Sequence, residues 1–285
     1  NAGYSNQGST SVIIGASAAR NNTTDGHTSI GYNAGYSQTS APNNTNIGYK
    51  AGYSNTTEDS RTIVGYESGE FSTGSDNTFM GRRAGRGTSG LTNSGSKNSA
   101  IGQSAGLGIT TGAENTFLGF QAGQNNTTSS NNTFIGSRAA GSATVTGGNN
   151  TGVGYSALTF LSSGTNNSVL GYQAGNSITS GSNLTIIGYD ADASSATATN
   201  EITLGNSSVT SFRIPGIQSG ASNGDVLTFN SSAGKLELQA AGGGGATSLN
   251  GLTDCLVDTD SLYVGEVPAG LSGNPQGNTI LGIDA

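Results

Sequence analysis

The stretch NTFLGFQAG, residues 115–123, contains the unit from which most of the chain is built. An aliphatic residue or Met followed by glycine, as at Leu118 and Gly119, occurs twelve times in register between residues 14 and 205. Successive glycines lie 16, 17, 17, 16, 21, 17, 17, 18, 17, 17 and 17 residues apart. A fixed internal period of this kind indicates a repeat protein, in which each unit contacts mainly its neighbours.

The residues around each glycine share the consensus N-T-x-I-G-Y-x-A-G. Counted from the glycine, position −1 is aliphatic or Met in all twelve copies, and position +3 is Ala in ten. Position −3 is Ser or Thr in ten copies, position +1 is Tyr or Phe in seven, and position −4 is Asn in seven. The alternation of β-branched or aromatic residues with polar ones predicts one short strand per repeat, followed by a corner and a polar return.

The same alternation predicts which residues form the core. If the strand continues through the glycine, positions −3, −1, +1 and +3 share one face, and the glycine marks a bulge or a close approach of another backbone. We therefore expect the position −1 residues to point inward as the core of the repeats: Ile14, Ile30, Ile47, Val64, Met80, Ile101, Leu118, Ile135, Val153, Leu170, Ile187 and Leu204.

Stacking of the repeats predicts an all-β fold, a parallel β-solenoid or β-roll of about twelve 17-residue repeats with strands about 4.8 Å apart. Each repeat offers few inward apolar groups against a backbone entropy cost of about 1–2 kcal/mol per residue. A single coil is therefore expected to be underfilled, which favours a homotrimer that pools the Ile and Ala positions in a shared core. The Asn residues at position −4 are expected to stack as a ladder of amides.

The repeat defines the domain organisation. NAGYS at residues 1–5 is the second half of a repeat, so we expect the sequence to be a window of a longer protein. We predict a repeat rod over residues 1–205, an exit strand and small β-hairpin over 206–240, a Gly-rich hinge over 241–246, a small β connector module over 247–277, and the start of a second repeat block over 278–285.

Composition excludes several classes of function. Only 9% of residues are charged, with ten basic and seventeen acidic side chains, so no basic stripe for nucleic acid is present. No apolar run approaches the roughly 18 residues of a membrane helix, and no membrane insertion is expected. The 48 glycines would suit a disordered linker, but a linker has no reason to keep a 17-residue period.

Few residues suggest chemistry, and we expect neither a cofactor nor an enzyme. His27 is the only histidine and is expected to be a polar surface residue. The single cysteine, Cys255, can close no disulfide within the chain and is expected to be a small buried residue. A calcium site is conceivable where carboxylates crowd together in DCLVDTD, although a solvated turn is the preferred interpretation. Its weak candidate metal ligands are Asp254, Asp258 and Asp260.

Two further residue sets leave alternatives open. Four carboxylates, Glu67, Glu70, Asp190 and Asp192, could supply a glycosidase pair, but nothing in the sequence shows that they face each other. A series of tyrosines could form a sugar-binding stripe if exposed, although packing in the core or between chains is the preferred interpretation. The series comprises Tyr32, Tyr49, Tyr66, Tyr155, Tyr172 and Tyr189.

The repeats resemble those of two known groups of fibrous proteins. NNTFIGSRAAG at 131–141, NTFLGFQAG at 115–123 and NSVLGYQAG at 167–175 resemble the repeats of phage and prophage tail-fibre proteins. They are similar, more distantly, to the N-S-x-A-I-G repeats in the β-roll heads of trimeric autotransporter adhesins. The resemblance covers residues 1–205, and NEITLGNSSVTSFRIPGIQ at 200–218 resembles the exit sequence of phage fibres. It implies a trimeric, intertwined or stacked parallel β-roll on an elongated particle.

The resemblance implies the structural shaft of a phage tail fibre or related virion appendage, which positions a distal receptor-binding tip for host attachment. The implied partners are two further copies of the chain, other virion or tail proteins, and host surface glycan bound through regions outside this sequence. The implied location is the virion, with the extracellular or cell surface as the alternative. Alternative functions are a bacterial trimeric surface adhesin, a tailspike depolymerase, and an ice-binding or polysaccharide-binding β-solenoid, the ice-binding one suggested by the column Thr116, Thr133 and Thr151.

Overall fold

The computed structural model describes residues 2–5, 7, 10–91 and 93–213, together with the backbone of five later strands between residues 226 and 281. All regular secondary structure in this part of the chain is β. The chain divides into two compact units, Asn1–Val209 and Thr210–Ala285.

The first unit is a parallel β-solenoid, as the repeat predicts. Twelve three-residue strands form one sheet in which each strand pairs only with the preceding and the following one. Neighbouring strands are in register by one repeat, so that Thr116 pairs with Thr133 and Leu118 with Ile135. Eleven spacings of about 4.8 Å give the sheet a length of about 50 Å. The strands are β1 Val12–Ile14, β2 Thr28–Ile30, β3 Thr45–Ile47, β4 Thr62–Val64, β5 Thr78–Met80, β6 Ser99–Ile101, β7 Thr116–Leu118, β8 Thr133–Ile135, β9 Thr151–Val153, β10 Ser168–Leu170, β11 Thr185–Ile187 and β12 Ile202–Leu204.

The repeat glycine is a corner at which two backbones meet. Gly119 has φ of 133°, a region that L side chains rarely adopt. A Cβ placed on it would lie 2.6 Å from the carbonyl oxygen of Gly136, the equivalent glycine of the next repeat. The same arrangement recurs along the glycine column, and it confirms the close backbone approach that the sequence predicts.

Because the chain turns after this glycine, the strand alternation is lost by position +3, which does not share the face of positions −3, −1 and +1. In β7, Phe117 is buried whereas Thr116 and Leu118 are exposed. The middle residue is buried in ten of the twelve strands, and neither flanking residue is buried in any of them. Ala122, at position +3, lies inside the coil with Phe117.

The prediction that the position −1 residues point into the coil is therefore wrong. Their side chains are exposed or half-buried on the outer surface, because they share the outward parity of the position −3 residues. They are Ile14, Ile30, Ile47, Val64, Met80, Ile101, Leu118, Ile135, Val153, Leu170, Ile187 and Leu204.

A single coil fills its own interior, contrary to the expectation of an underfilled core. Side chains at position −2 pack against the Ala column at +3 and against apolar residues of the return segment such as Leu161 and Ile178. The rings of Phe117 and Phe134 stack with their centroids 5.6 Å apart. This continuous core runs from Ala51 to Ala191.

The predicted Asn ladder closes another corner of the coil. Asn115 Oδ1 accepts a hydrogen bond from the backbone N–H of Asn132 at 2.9 Å, and Asn115 Nδ2 donates to the carbonyl of Ser129 at 3.0 Å. Each Asn thereby satisfies buried backbone groups of the next repeat, which would otherwise cost about 1–3 kcal/mol each. The column comprises Asn44, Asn77, Asn98, Asn115, Asn132, Asn150 and Asn167.

The second unit contains two small sheets. Strands β13 Val226–Asn230 and β14 Lys235–Gln239 pair antiparallel, which is the hairpin that the sequence predicts. Strands β15 Cys255–Asp258 and β16 Ser261–Val264 also pair antiparallel, and β17 Ile280–Leu281 joins β16 in parallel. The predicted hinge at 241–246 and the side chain of Cys255 lie outside the described residues.

The glycine corner leads to a testable prediction. Gly119→Ala forces the Cβ against the Gly136 carbonyl, so we expect a loss of at least ~3 kcal/mol in unfolding free energy. Gly90→Ala is the matched control, because Gly90 also has positive φ, +79°, but has nothing within 4 Å of the added Cβ. Its expected loss is about 1–2 kcal/mol. Denaturant unfolding followed by circular dichroism measures both, and equal losses would contradict the close-approach argument.

Candidate functional site: the outer apolar face

The most extensive feature of the solenoid surface is a run of apolar side chains on both sides of the glycine column. Position −1 supplies aliphatic residues such as Leu118, 44% exposed, and Leu170, 51% exposed. Position +1 supplies aromatic residues such as Tyr172, 45% exposed. We call these two columns, between residues 14 and 204, the outer apolar face.

The area of the outer apolar face exceeds that of the largest apolar patch on an ordinary soluble monomer. A side chain of about 200 Å² that is half exposed leaves roughly 100 Å² uncovered, so some ten repeats present on the order of 1,000 Å². The largest apolar patch of a typical soluble monomer covers about 300–600 Å². A patch of this size is typical of an interaction surface.

Tyrosine rings stack along one column of this face. The ring centroid of Tyr49 lies 5.5 Å from that of Tyr32 and 5.0 Å from that of Tyr66. In a second triplet, the ring centroid of Tyr172 lies 5.1 Å from that of Tyr155 and 5.3 Å from that of Tyr189. The inner ring of each triplet therefore has a neighbour against both of its flat faces. Binding a sugar by stacking needs a free ring face, so this geometry favours an edge contact with a partner.

The tyrosines are thus placed on the outer surface and not in the core of the coil. Their exposed fractions range from 38% at Tyr49 to 67% at Tyr189. Packing of this column between chains stays a prediction.

The carboxylates of the fourth repeat belong to an ion-pair network. Glu67 accepts from Arg83 Nε at 2.8 Å, and Glu70 accepts from Arg86 Nη2 at 2.8 Å and from Lys50 Nζ at 3.1 Å. Arg86 Nε also lies 3.5 Å from Glu67, so it bridges the two carboxylates. These pairs link three successive repeats on one surface.

This arrangement does not resemble a glycosidase pair. Burial raises the pKa of Glu67, but hydrogen bonds from Arg83 and Tyr66 and attraction to Arg86 outweigh it, and the pKa lies below its ordinary value. A general acid needs the opposite shift. Asp190 and Asp192 lie seven repeats away, about 34 Å along the sheet, whereas a glycosidase needs carboxyl groups about 5–9.5 Å apart.

His27 is buried, and the prediction of a surface histidine is wrong. It occupies position −4, the Asn column, and is 1% exposed. Gln38 Nε2 lies 2.7 Å from His27 Nδ1 and can only donate, so Nδ1 accepts and Nε2–H donates to Thr24 Oγ1 at 2.8 Å. The ring is therefore neutral. Burial lowers the pKa of His27, and the charge of Asp25 opposes this shift in part.

The described residues hold no group of three or more His, Cys, Asp or Glu side chains that could bind a metal. The side chains of Asp254, Asp258 and Asp260 lie outside that part of the chain. Within it, no helix has the length and apolar character to cross a membrane.

No protein-family model matches the chain, and no curated protein or solved structure matches it either. The resemblance to tail-fibre and adhesin repeats therefore stays an expectation from the repeat residues.

The buried histidine predicts a pH dependence. Unfolded His27 takes up a proton as the pH falls through about 6.5, whereas folded His27 stays neutral to lower pH because its pKa is lowered. The unfolded state then binds more protons, so stability should fall as the pH drops from about 6.5 towards 5. We expect His27→Asn, which places the consensus residue in this column, to flatten that part of the profile. Thermal unfolding across this range tests it, and an unchanged slope in the variant would contradict the assignment.

Proposed function

We propose that the chain is the structural shaft of a homotrimeric fibre, of the kind found in phage tail fibres and related virion appendages. The observation that carries the proposal is the outer apolar face, which runs the length of a solenoid whose interior is already filled. Such a face needs a partner, and a partner of the same length and period is another copy of the chain.

The area of the face is large enough for an assembly interface. One specific interface buries about 800 Å² per partner, and the outer apolar face offers on the order of 1,000 Å² in all, which a trimer divides between two neighbours. Because position −1 is aliphatic or Met in every repeat, two copies in axial register place an apolar side chain at every rung.

The composition of the face favours three copies over two. Aliphatic side chains at position −1 lie before the repeat glycine and aromatic side chains at +1 lie after it, so the face consists of two different columns. Two different columns can contact two different neighbours, with the aliphatic column of one chain against the aromatic column of the next. Heterologous contacts of this kind close into a ring, and three is the smallest such ring.

The solenoid suits a shaft because its backbone pairing repeats without interruption. The backbone ladder runs along the axis for about 50 Å, and the Asn column and the stacked aromatic rings reinforce parts of that length. In the proposed fibre the chain positions a distal tip for attachment to the host, contacts other virion proteins, and is part of the virion. A bacterial trimeric surface adhesin is the alternative with the same architecture, and the neighbouring genes would separate the two.

The trimer is tested by charges placed on the outer apolar face. We expect the wild-type chain to sediment at three times its 28.2 kDa mass, and Leu118→Asp/Leu170→Asp to sediment as a folded monomer, because both side chains point outward. Thr128→Asp, an exposed residue of the return segment, is the matched control and should stay trimeric.

A second control separates folding from assembly. Phe117 is fully buried, so Phe117→Asp should unfold the solenoid, with loss of the β signal in circular dichroism. A monomeric wild-type chain at micromolar concentration, or an unfolded Leu118→Asp/Leu170→Asp variant, would overturn the proposed trimer.

Ice binding is a second candidate because the Thr column also lies on the outer surface. Position −3 residues such as Thr116 and Thr151 are exposed. Neighbouring residues of this column lie about 4.8 Å apart along the sheet, and the aliphatic column lies about 6.6 Å from it. The second column is aliphatic instead of Thr, which favours the trimer. If the face binds ice, the wild-type chain shows thermal hysteresis and Thr133→Tyr abolishes it, whereas a wild-type chain without hysteresis excludes this function.

A further inference from the structure

Arg61 occupies an unusual place in the Asn column. The neighbouring repeats carry Asn44 and Asn77 at this position, and Arg61 is 1% exposed between them. Its backbone N–H donates to Asn44 Oδ1 at 2.9 Å, as the ladder requires. Its side chain has no acceptor to offer the next repeat and extends into the coil.

The guanidinium of Arg61 has no hydrogen-bond partner. None of Nε, Nη1 and Nη2 is paired, although all three are buried. Nη2 lies 3.4 Å from the point that a Cβ of Gly69 would occupy, and that point is 2.7 Å from Ile63 Cδ1 and 3.2 Å from Phe79 Cδ2. The charged group therefore lies among apolar side chains.

Glu58, Glu67 and Glu70 are engaged with other groups. Glu58 Oε2 accepts from the backbone N–H groups of Thr56 and Thr57. The carboxylates of Glu67 and Glu70 pair with the cations of the ion-pair network. Among the described residues, no salt bridge reaches Arg61.

Arg61 nevertheless remains charged at neutral pH. Burial lowers its pKa to about 10, and the charge of Glu58 opposes that shift. Glu58 makes no hydrogen bond to the guanidinium, and a buried guanidinium without a contacting partner is strongly unfavourable.

We propose that the solenoid interior at Arg61 binds a small monovalent anion of the chloride class. A single negative charge balances the guanidinium without adding net charge to the interior. A spherical halide accepts from several N–H donors without a directional requirement, and its dehydration costs less than that of phosphate or sulfate. Because Arg61 is buried, the ion is enclosed as the coil closes.

The ion lies where the buried residues at position −2 change from polar to apolar. Before Arg61, strands β2 and β3 place Ser29 and Asn46 at the buried position −2. After Arg61, strands β4 and β5 place Ile63 and Phe79 at the same position. Ser29 Oγ and Asn46 Oδ1 also have no hydrogen-bond partner. The site therefore lies at the junction of the polar N-terminal repeats and the apolar stack, and its occupancy is independent of whether the chain forms a trimer.

Halide-dependent stability tests the site. Thermal unfolding of the full 285-residue chain is measured in sodium chloride and in sodium gluconate at equal ionic strength. A ligand that binds only the folded state raises the melting temperature with concentration. We expect a progressive rise with chloride for the wild type and none for Arg61→Asn, which restores the Asn column. Arg138→Asn, which removes an exposed arginine, is the control and should keep the chloride response.

A direct measurement decides the outcome even if Arg61→Asn fails to fold. Crystals of the wild-type chain grown in sodium bromide should show an anomalous peak within hydrogen-bonding distance of the Arg61 guanidinium. No peak there, or equal melting temperatures in chloride and gluconate, would overturn the proposal and assign the three donors to water. A Glu58 carboxylate found paired with Arg61 in that crystal would overturn it as well.

Discussion

The close approach of successive backbones at the repeat glycine is the constraint on which the rest of the solenoid depends. At Gly119 the position of a side chain is taken by the carbonyl of Gly136, so no other residue fits. The positive φ of the glycine ends each strand and turns the chain. That turn places the aliphatic and aromatic columns outside the coil and the Ala column inside it.

The repeat residues have different roles inside and outside the coil. Inside, the position −2 side chains and the Ala column exclude water, while the Asn column satisfies backbone groups that the corner would leave unpaired. Outside, the aliphatic and aromatic columns remain uncovered. The interior is complete in one chain, whereas the exterior is not, and this difference is the physical reason for proposing assembly.

The N-terminal repeats depart from the consensus in a consistent way. His27 and Arg61 replace Asn in its column, and both are buried. Ser29 and Asn46 occupy places that hold apolar residues further along. Because each repeat is stabilised mainly by its neighbours, a polar stretch makes local stability depend on protonation and on ions. Ionisable groups thus enter the core where the inward columns depart from the consensus residues.

The sequence by itself determined the period, the parallel β-solenoid, the glycine corner and the Asn ladder, because each needs only a residue type at a fixed spacing. Alternation in a strand groups residues by face but does not say which face is buried. Only the tertiary structure decided that Phe117 lies inside and Leu118 outside, since this depends on the direction in which the chain turns at Gly119. The burial of His27 and Arg61 was likewise decided by the stacking of neighbouring repeats, which encloses every side chain of an inward column whatever its polarity.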